Sequence, residues 1–246
     1  MSVAEALLLV VGGMASGFIN TLAGGGSVVT IPILNELVGI STANGTNRIA
    51  ILLANVGAVA GFHRGGKVPW AKVAPILPVT VAGAAVGSWT ATLVSAEALR
   101  RVFALVLLMV ALSVLAKPSR WMEERQSRLP TWVQSGIFLV IGFYGGFLQV
   151  GVGFMLLGAL VLGAGLDLVS GNAAKVLVIA VYTPVTLVLF ASAAQVDWAV
   201  GGVLAIGQVS GAYVASQLAI ARGAAWIRWV LVGAAVVAAV RLAVFG

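Results

Sequence analysis

The sequence predicts an all-α polytopic membrane protein, with about eight transmembrane helices, two short broken or re-entrant helices, and two inverted-topology repeats. Composition is the first reason, because 61% of the 246 residues are hydrophobic and only 9% are charged, whereas soluble domains carry about 25% charged residues. The second reason is that the apolar runs are continuous and lack the alternation of a membrane barrel. The third is an internal duplication at a shift of 128 residues.

Composition also excludes several kinds of site. The chain has no cysteine and a single histidine, His63, so thiolate, iron–sulfur and multi-histidine metal sites are excluded. No metal or cofactor is expected. The net charge of +7 arises from 14 basic and 7 acidic residues. These charges lie mostly between apolar runs, where they set membrane topology, and nucleic acid is not an expected partner.

Ten apolar segments follow one another along the chain. A helix needs about 20 apolar residues to cross the hydrocarbon core, and eight of the segments are long enough. These eight are 3–22, 44–63, 73–94, 98–116, 132–150, 172–193, 199–220 and 227–245. The other two, 28–40 and 153–166, are short, and each follows a glycine-rich break, AGGGS at 23–27 or GVG at 151–153. We therefore predict half-helices or broken helices at these two positions.

A polar stretch at 117–131 divides the chain into a first membrane repeat, 1–116, and a second, 132–246. This linker carries four basic residues, which place it on the cytoplasmic side. The basic loop 64–72 is expected on the same side. The loop 194–198 has no basic residue and is expected on the outside.

The two repeats align without gaps at the shift of 128 residues. Rare residue types coincide at this shift: Asn44 with Asn172, Trp70 with Trp198, and Arg100 with Arg228. Each repeat holds five apolar segments when the short one is counted, and an odd number turns the second copy upside down. Inverted repeats are typical of secondary transporters, whose substrate site lies near the membrane midplane. A duplication that only enlarged a scaffold is the alternative.

The glycine-rich breaks are the first candidate binding site. Consecutive glycines destabilise a continuous helix by roughly 1 kcal/mol each relative to alanine. They leave backbone N–H groups at the start of the next helix, which favour an anion. Close helix packing through small residues is the alternative, and the neighbouring polar side chains favour the anion. The candidate residues are Asn20, Thr21, Gly24, Gly25, Gly26, Ser27, Gln149, Gly151 and Gly153.

Two basic residues lie inside long apolar segments, Arg48 in ANGTNR at 43–48 and Lys175 in GNAAK at 171–175. A cation within a membrane segment is costly and usually faces a pathway or a partner. We therefore expect the two cations either to attract a small anion or to pair across the protein. Snorkelling of Arg48 to the interface is the alternative. Further candidates, whose amides or hydroxyls could bind an oxyanion, are Asn44, Thr46, Asn47, Asn172 and Tyr144.

The acidic residues indicate what the protein does not do. All seven lie at predicted segment ends or in loops, so no carboxylate is expected in mid-membrane, where a proton relay would place one. The sequence contains no nucleophile–base pair and no phosphate-binding loop of the nucleotidase kind. Neither an enzyme nor an ATP-driven pump is expected.

Two long motifs resemble the TauE/SafE family of sulfite exporters: GFINTLAGGGSVVTIPIL followed by ANGTNR, and GFYGGFLQVGVGFMLLGAL followed by GNAAK. The resemblance covers essentially the whole chain. It implies a multi-pass permease of the inner membrane for small sulfur-containing or organic anions, such as sulfite or sulfoacetate. The expected function is export of such an oxyanion by alternating access. A proton-coupled importer, a channel and a non-transporting scaffold are the alternatives, and the small-residue helix faces are compatible with a homodimer.

Overall fold

The computed structural model describes residues 1–115 and 129–245, with side chains for 1–106, 129–223 and Trp226. Every regular element within these residues is helical. The helices are α1 Val3–Leu22, α2 Ser27–Val38, α3 Ile40–Arg64, α4 Trp70–Val73, α5 Leu77–Leu93, α6 Ala96–Leu115, α7 Thr131–Phe147, α8 Val152–Gly158, α9 Leu168–Ser192 and α10 Trp198–Phe245. A 3₁₀ turn, Ala74–Ile76, joins α4 to α5, and a π-helical turn, Ala159–Gly163, extends α8.

Five helical spans in the described part of the chain are long and apolar enough to cross a membrane. They are Val3–Leu22, Ile40–Arg64, Trp70–Leu93, Leu168–Ser192 and Trp198–Gly223. Shorter apolar stretches cover Ser27–Val38, Thr131–Phe147 and Val152–Gly163. These lengths fit a multi-pass membrane protein with two short helices at the predicted positions, while the number of eight crossings stays a prediction.

The helix boundaries follow the shift of 128 residues. Helices α3 and α9 both contain 25 residues, and their first and last residues differ by the same shift. Trp70 and Trp198 each begin a helix. Gly223, with φ of +68°, breaks α10 at the position equivalent to Ser95, which lies between α5 and α6. The agreement of these boundaries supports the internal duplication.

Helices α3 and α9 begin four residues before the predicted positions 44 and 172. Asp167 caps α9, because its carboxylate accepts hydrogen bonds from two backbone N–H groups at 2.9 and 3.0 Å. Gly39, with φ of +76°, precedes α3. Asn44 and Asn172 therefore lie inside their helices and do not cap them.

The predicted linker 117–131 lies mostly outside the described residues. At its end, Pro130 is the N-cap of α7, with φ of −53°. The predicted boundary is one residue late, because Thr131 already belongs to α7. A proline is well suited to this position, since its fixed φ and missing N–H are tolerated at a helix start.

Helices α3 and α9 pack against each other in antiparallel orientation. The start of α3 lies at the end of α9, since a Cβ on Gly45 would be 3.0 Å from the Cβ of Phe190. The end of α3 lies near the start of α9, since Phe62 shares a hydrophobic cluster with Ala173 and Val176. Helix α3 belongs to the first repeat and helix α9 to the second.

The first helix of each repeat packs on the other repeat. Helix α1 lies along the first part of α10, and α7 lies along α5. Glycines permit this close approach. A Cβ on Gly17 would lie 2.1 Å from the carbonyl oxygen of Gln208, and one on Gly87 would lie 1.9 Å from that of Phe143.

The helices therefore form two bundles, each built from both repeats. Bundle one contains α1, α2, α3 and the first part of α10 up to Gly223, and bundle two contains α5, α7, α8 and α9. Helix α3 contacts α10 inside bundle one, where a Cβ on Gly57 would lie 3.6 Å from Cγ1 of Val209. The antiparallel contact of α3 with α9 joins the two bundles.

Candidate functional site

The two glycine-rich turns meet where the bundles touch. Gly24 has φ of +87°, and a Cβ there would lie 2.3 Å from the Cα of Gly153. On the other side, Gly151 has φ of +72° and begins α8. A positive φ and a backbone contact of this kind both favour glycine. The close packing that was the alternative is therefore present at Gly24 and Gly153, and their role in anion binding stays a prediction.

The buried Arg48 side chain crosses from bundle one to bundle two. Its NH1 group donates to the carbonyl oxygen of Gly145 at 2.6 Å and to the Oε1 atom of Gln149. Its NH2 group donates to the carbonyl oxygen of Gly146 at 2.8 Å and to Oδ1 of Asn44 at 3.2 Å. The guanidinium therefore caps the carboxyl end of α7.

Two further contacts fix the same region. The Nδ2 group of Asn44 donates to the carbonyl oxygen of Phe147 at 2.8 Å, which is also at the end of α7. The guanidinium carbon of Arg48 lies 5.1 Å from the ring centroid of Phe190, a cation–π distance. Arg48 does not reach the membrane interface by snorkelling, because it is fully buried.

The buried Lys175 makes the equivalent connection in the opposite direction. Its Nζ group donates to the carbonyl oxygens of Asn20 and Thr21, at 3.0 and 2.8 Å, and to Oδ1 of Asn172 at 2.7 Å. Lys175 belongs to α9 of bundle two, and the two carbonyls belong to the end of α1 in bundle one. The cation of each repeat therefore caps the first helix of the other repeat.

This reciprocal arrangement has a direct electrostatic cause. The last carbonyl groups of a helix have no intrahelical partner, and the helix dipole places a partial negative charge of about −0.5 at that end. Arg48 and Lys175 satisfy those carbonyls and lie at the favourable end of the dipole. The sequence expectation that the two cations pair across the protein is realised with backbone carbonyls as partners.

Neither cation has an acidic partner in the described part of the chain. The salt bridges found there join Glu97 to Arg100 and to Arg101, on exposed side chains. The buried polar and charged residues that the structure describes include Arg48 and Lys175 but no aspartate or glutamate. Among the described residues, the buried interior therefore contains positive charge without a carboxylate to balance it.

Some buried donors near these cations have no hydrogen-bond partner among the described residues. They are Nε of Arg48, Nδ2 of Asn172 and the hydroxyl group of Tyr182. The Tyr182 oxygen lies 2.8 Å from the point that a Cβ of Gly145 would occupy, so Tyr182 and Arg48 contact the same residue of α7. Gln149, which holds the guanidinium, has a rare positive φ of +66° for a residue with a side chain.

A second group of polar side chains surrounds the start of α2. The Asn47 amide accepts a hydrogen bond from Thr30 at 3.0 Å and donates to Ser27 at 3.2 Å. The Gln208 amide donates to Asn47 at 3.5 Å and to Ser16 at 3.3 Å. This cluster is buried and uncharged, and it holds α1, α2, α3 and α10 together. Gly26 lies beside this cluster, and a Cβ on Gly26 would lie 2.2 Å from the carbonyl oxygen of Ser16.

Three predicted residues lie outside these groups. The Thr46 hydroxyl accepts a hydrogen bond from the N–H of Asp197 at 2.8 Å, which fixes the turn before α10. The Tyr144 hydroxyl donates to the carbonyl oxygen of Val150, which fixes the turn before α8. Gly25 faces the ring of Phe154, at 2.9 Å from where its Cβ would be.

Sequence reasoning placed Ser16, Thr30, Phe190 and Gln208 in no site. It treated Tyr182 as a residue that could hydrogen-bond an oxyanion or belong to the core, and did not include it among the site residues. Gln208 offered a signal, since it is the polar amide in the middle of an apolar segment. Tyr182 offered another, because a buried tyrosine hydroxyl usually finds a partner. The direction in which these side chains point depends on helix packing, which the apolar pattern does not reveal.

Known proteins resemble this chain over most of its length. The family model described as sulfite exporter TauE/SafE matches residues 9–242. The chain belongs to this family. The match confirms the resemblance seen in the paired motifs and identifies the protein as a member of a membrane transporter family.

Individual relatives agree with this assignment. A probable membrane transporter protein, ORF9, from Sinorhizobium sp. is 31% identical over 95% of this chain and 90% of its own length. The probable membrane transporter protein YfcA of Escherichia coli K12 is 31% identical over 89% of this chain and 82% of its own length. A probable membrane transporter protein of Haemophilus influenzae is 28% identical over 91% and 88%. No solved structure matches the chain.

Proposed function

We propose that the protein is a secondary transporter that exports a small sulfur-containing oxyanion, such as sulfite or an organosulfonate, across the cytoplasmic membrane by alternating access. One observation carries the proposal: Arg48 and Lys175 are fully buried, bridge the two bundles, and have no acidic partner among the described residues. The family assignment supports transport, and the buried positive charge supports an anion as the cargo.

The magnitude of the buried charge favours a small anion. With Lys175 protonated, the two cations contribute +2, and the two helix ends that they cap contribute about −0.5 each, which leaves roughly one positive charge. Uncompensated charge is costly within a membrane. A bound monoanion would bring the net charge of this region close to zero.

Export follows from the membrane potential. An inside-negative potential drives an anion outward by about 2.3 kcal/mol per charge for each 100 mV. No carboxylate is needed for this direction, in keeping with the absence of aspartate and glutamate among the described buried residues. The potential therefore suffices as the driving force.

The packing supports inverted repeats that work by alternating access. Helices α3 and α9 are equivalent by the 128-residue shift and pack antiparallel, as inverted copies would. The reciprocal caps of Arg48 and Lys175 have the same twofold pattern. In this proposal the bodies that rock against each other are the two bundles, each with helices from both repeats.

Reconstituted transport tests the proposal. Purified protein in liposomes is given an imposed potential, and the fluxes of sulfite, sulfate, taurine and sulfoacetate are compared. Saturable sulfite or sulfonate flux that follows the potential supports the proposal. No saturable flux of any sulfur oxyanion would overturn the choice of substrate, and flux that rises with an acid gradient instead of the potential would support a proton-coupled importer.

Variants of the buried lysine test the role of its charge. Lys175→Met removes the cation and is expected to abolish flux, whereas Lys175→Arg keeps the charge and the carbonyl caps and is expected to retain part of it. Lys72→Met is the matched control, since it deletes the same charge at an exposed position. Undiminished flux in folded Lys175→Met would exclude the charge from transport.

A further inference from the structure

The two buried cations differ in how completely their hydrogen-bond donors are used. Lys175 has three N–H donors and three acceptors, the carbonyls of Asn20 and Thr21 and the side chain of Asn172. Arg48 has five donors, of which four are bonded. Its Nε–H has no partner among the described residues. Arg48 therefore retains a free charged donor, while Lys175 is saturated.

A second free donor lies beside Arg48. The Tyr182 hydroxyl is fully buried and has no partner in the described part of the chain. It lies 2.8 Å from the Cβ position of Gly145, whose carbonyl oxygen accepts from Arg48 at 2.6 Å. Near Lys175, by contrast, the free donor found in the described part of the chain is the neutral amide of Asn172. Arg48 and Lys175 belong to equivalent helices of the two repeats, but more free hydrogen-bond donors lie near Arg48.

The backbone beside Arg48 also shows signs of a specialised site. Gln149 has φ of +66°, which is unfavourable for any residue with a side chain. Its side chain accepts a hydrogen bond from the Arg48 guanidinium. Residues in such conformations cluster at ligand sites, where the surrounding structure holds them.

We infer that the transported anion binds between the Nε–H of Arg48 and the hydroxyl of Tyr182, and that the site selects a monovalent sulfonate-type oxyanion over divalent sulfate. The inference rests on the proposed function and adds its binding residues and charge selectivity. Both donors lie beside Gly145, so each could bind one oxygen of the same sulfur atom. The roughly one net positive charge of this region balances one negative charge, whereas a dianion would remain undercompensated in a buried site.

Tyr182→Phe is the decisive variant, because it removes one oxygen atom and nothing else. The hydroxyl makes no well-formed hydrogen bond to a described residue, so its loss should change the unfolding temperature without ligand only slightly. Loss of a hydrogen bond to a charged ligand should raise the half-saturating concentration of methanesulfonate, a monoanion, roughly 10- to 100-fold. Tyr213→Phe is the matched control, since Tyr213 is 41% exposed on the outer surface.

The experiment measures methanesulfonate and sulfate flux in liposomes, together with the rise in unfolding temperature caused by methanesulfonate. Support requires that wild type and Tyr213→Phe prefer methanesulfonate, and that Tyr182→Phe loses both affinity and the thermal shift. Wild-type flux with an unaffected Tyr182→Phe, or with sulfate preferred, would overturn this inference while leaving the proposed function intact. No flux of any sulfur oxyanion by wild type would overturn the proposed function itself.

Discussion

Replacing Gly24 with alanine should destabilise the protein more than any other glycine-to-alanine change at a positive φ. Two costs act together. The new Cβ would lie 2.3 Å from the Cα of Gly153, and overpacking of this kind costs about 1–3 kcal/mol. The backbone is at φ +87°, where a residue with a Cβ pays about 1–2 kcal/mol. The expected sum is about 2–5 kcal/mol.

Two control variants separate these costs. Gly66 has φ of +66° and nothing within 4 Å of its Cβ position, so Gly66→Ala should show the conformational cost alone, about 1–2 kcal/mol. Gly153→Ala introduces the contact with Gly24 without a positive φ. It should cost about 0–2 kcal/mol, since alanine also gains about 1 kcal/mol of helix propensity.

Thermal unfolding in detergent, followed by the fluorescence of the seven tryptophans, measures these effects. For a chain of this size, 1 kcal/mol corresponds to roughly 2–4 °C. Gly24→Ala should therefore lower the midpoint by roughly 4–20 °C and Gly66→Ala by roughly 2–8 °C. The double variant Gly24→Ala/Gly153→Ala should be less destabilised than the sum, because one separation of the two turns accommodates both methyl groups. A midpoint for Gly24→Ala no lower than that of Gly66→Ala would show that the turns do not touch.

Three further changes test other parts of the structure. Gly57→Cys with Val209→Cys should form a disulfide on oxidation in this cysteine-free chain, because the Cβ position of residue 57 lies 3.6 Å from Cγ1 of residue 209. The control is Gly57→Cys with Val81→Cys, the equivalent pair within one repeat, which should form no disulfide. The reverse result would refute the exchange of helices between bundles. Gln149→Gly relieves about 1–2 kcal/mol of backbone strain but loses a hydrogen bond to a cation worth about 1.5–3 kcal/mol and leaves one donor of the buried guanidinium unpaired. A net loss of stability is therefore expected in chemical unfolding, and a gain would contradict the bond to the guanidinium. Asp167→Ala removes the cap of α9 and should cost about 0.5–2 kcal/mol at neutral pH. Burial raises the pKa of this carboxyl, but hydrogen bonds from the next turn outweigh that effect and lower the pKa below its usual 3.8. The difference in the free energy of unfolding between wild type and variant should therefore vanish as the pH falls through the lowered pKa. A difference that persists in acid would exclude the cap.

The sequence was sufficient to predict an all-helical membrane protein of the TauE/SafE family. Long apolar runs report membrane segments directly, because the bilayer sets their length. The rare residues at one common shift reported the repeat. The family resemblance, confirmed over residues 9–242, rested on the same motifs. Arg48 and Lys175 stood out because a cation inside an apolar run has few explanations.

The partners of those cations could not be predicted. A backbone carbonyl carries no sequence signal, so nothing in the pattern indicated that Arg48 would reach Gly145 and Gly146. The helix starts were also misjudged, because Gly39 and Asp167 precede apolar residues that extend each helix by one turn. The sequence also did not indicate which face of each helix points into the protein, since small and apolar residues surround nearly every position. For that reason Tyr182 stayed outside the predicted site.

In the proposed transport cycle, Arg48 and Lys175 would connect the binding of the anion to the movement of the bundles. Arg48 extends from bundle one to the end of α7 in bundle two, and Lys175 extends from bundle two to the end of α1 in bundle one. If the bundles rock as proposed, these hydrogen bonds must lengthen or exchange, because they cross the moving interface. An anion at Arg48 would offer the guanidinium a charged acceptor in place of neutral carbonyls, and charged acceptors form the stronger hydrogen bonds. Binding would therefore weaken one of the two connections between the bundles, which couples the arrival of the anion to their separation.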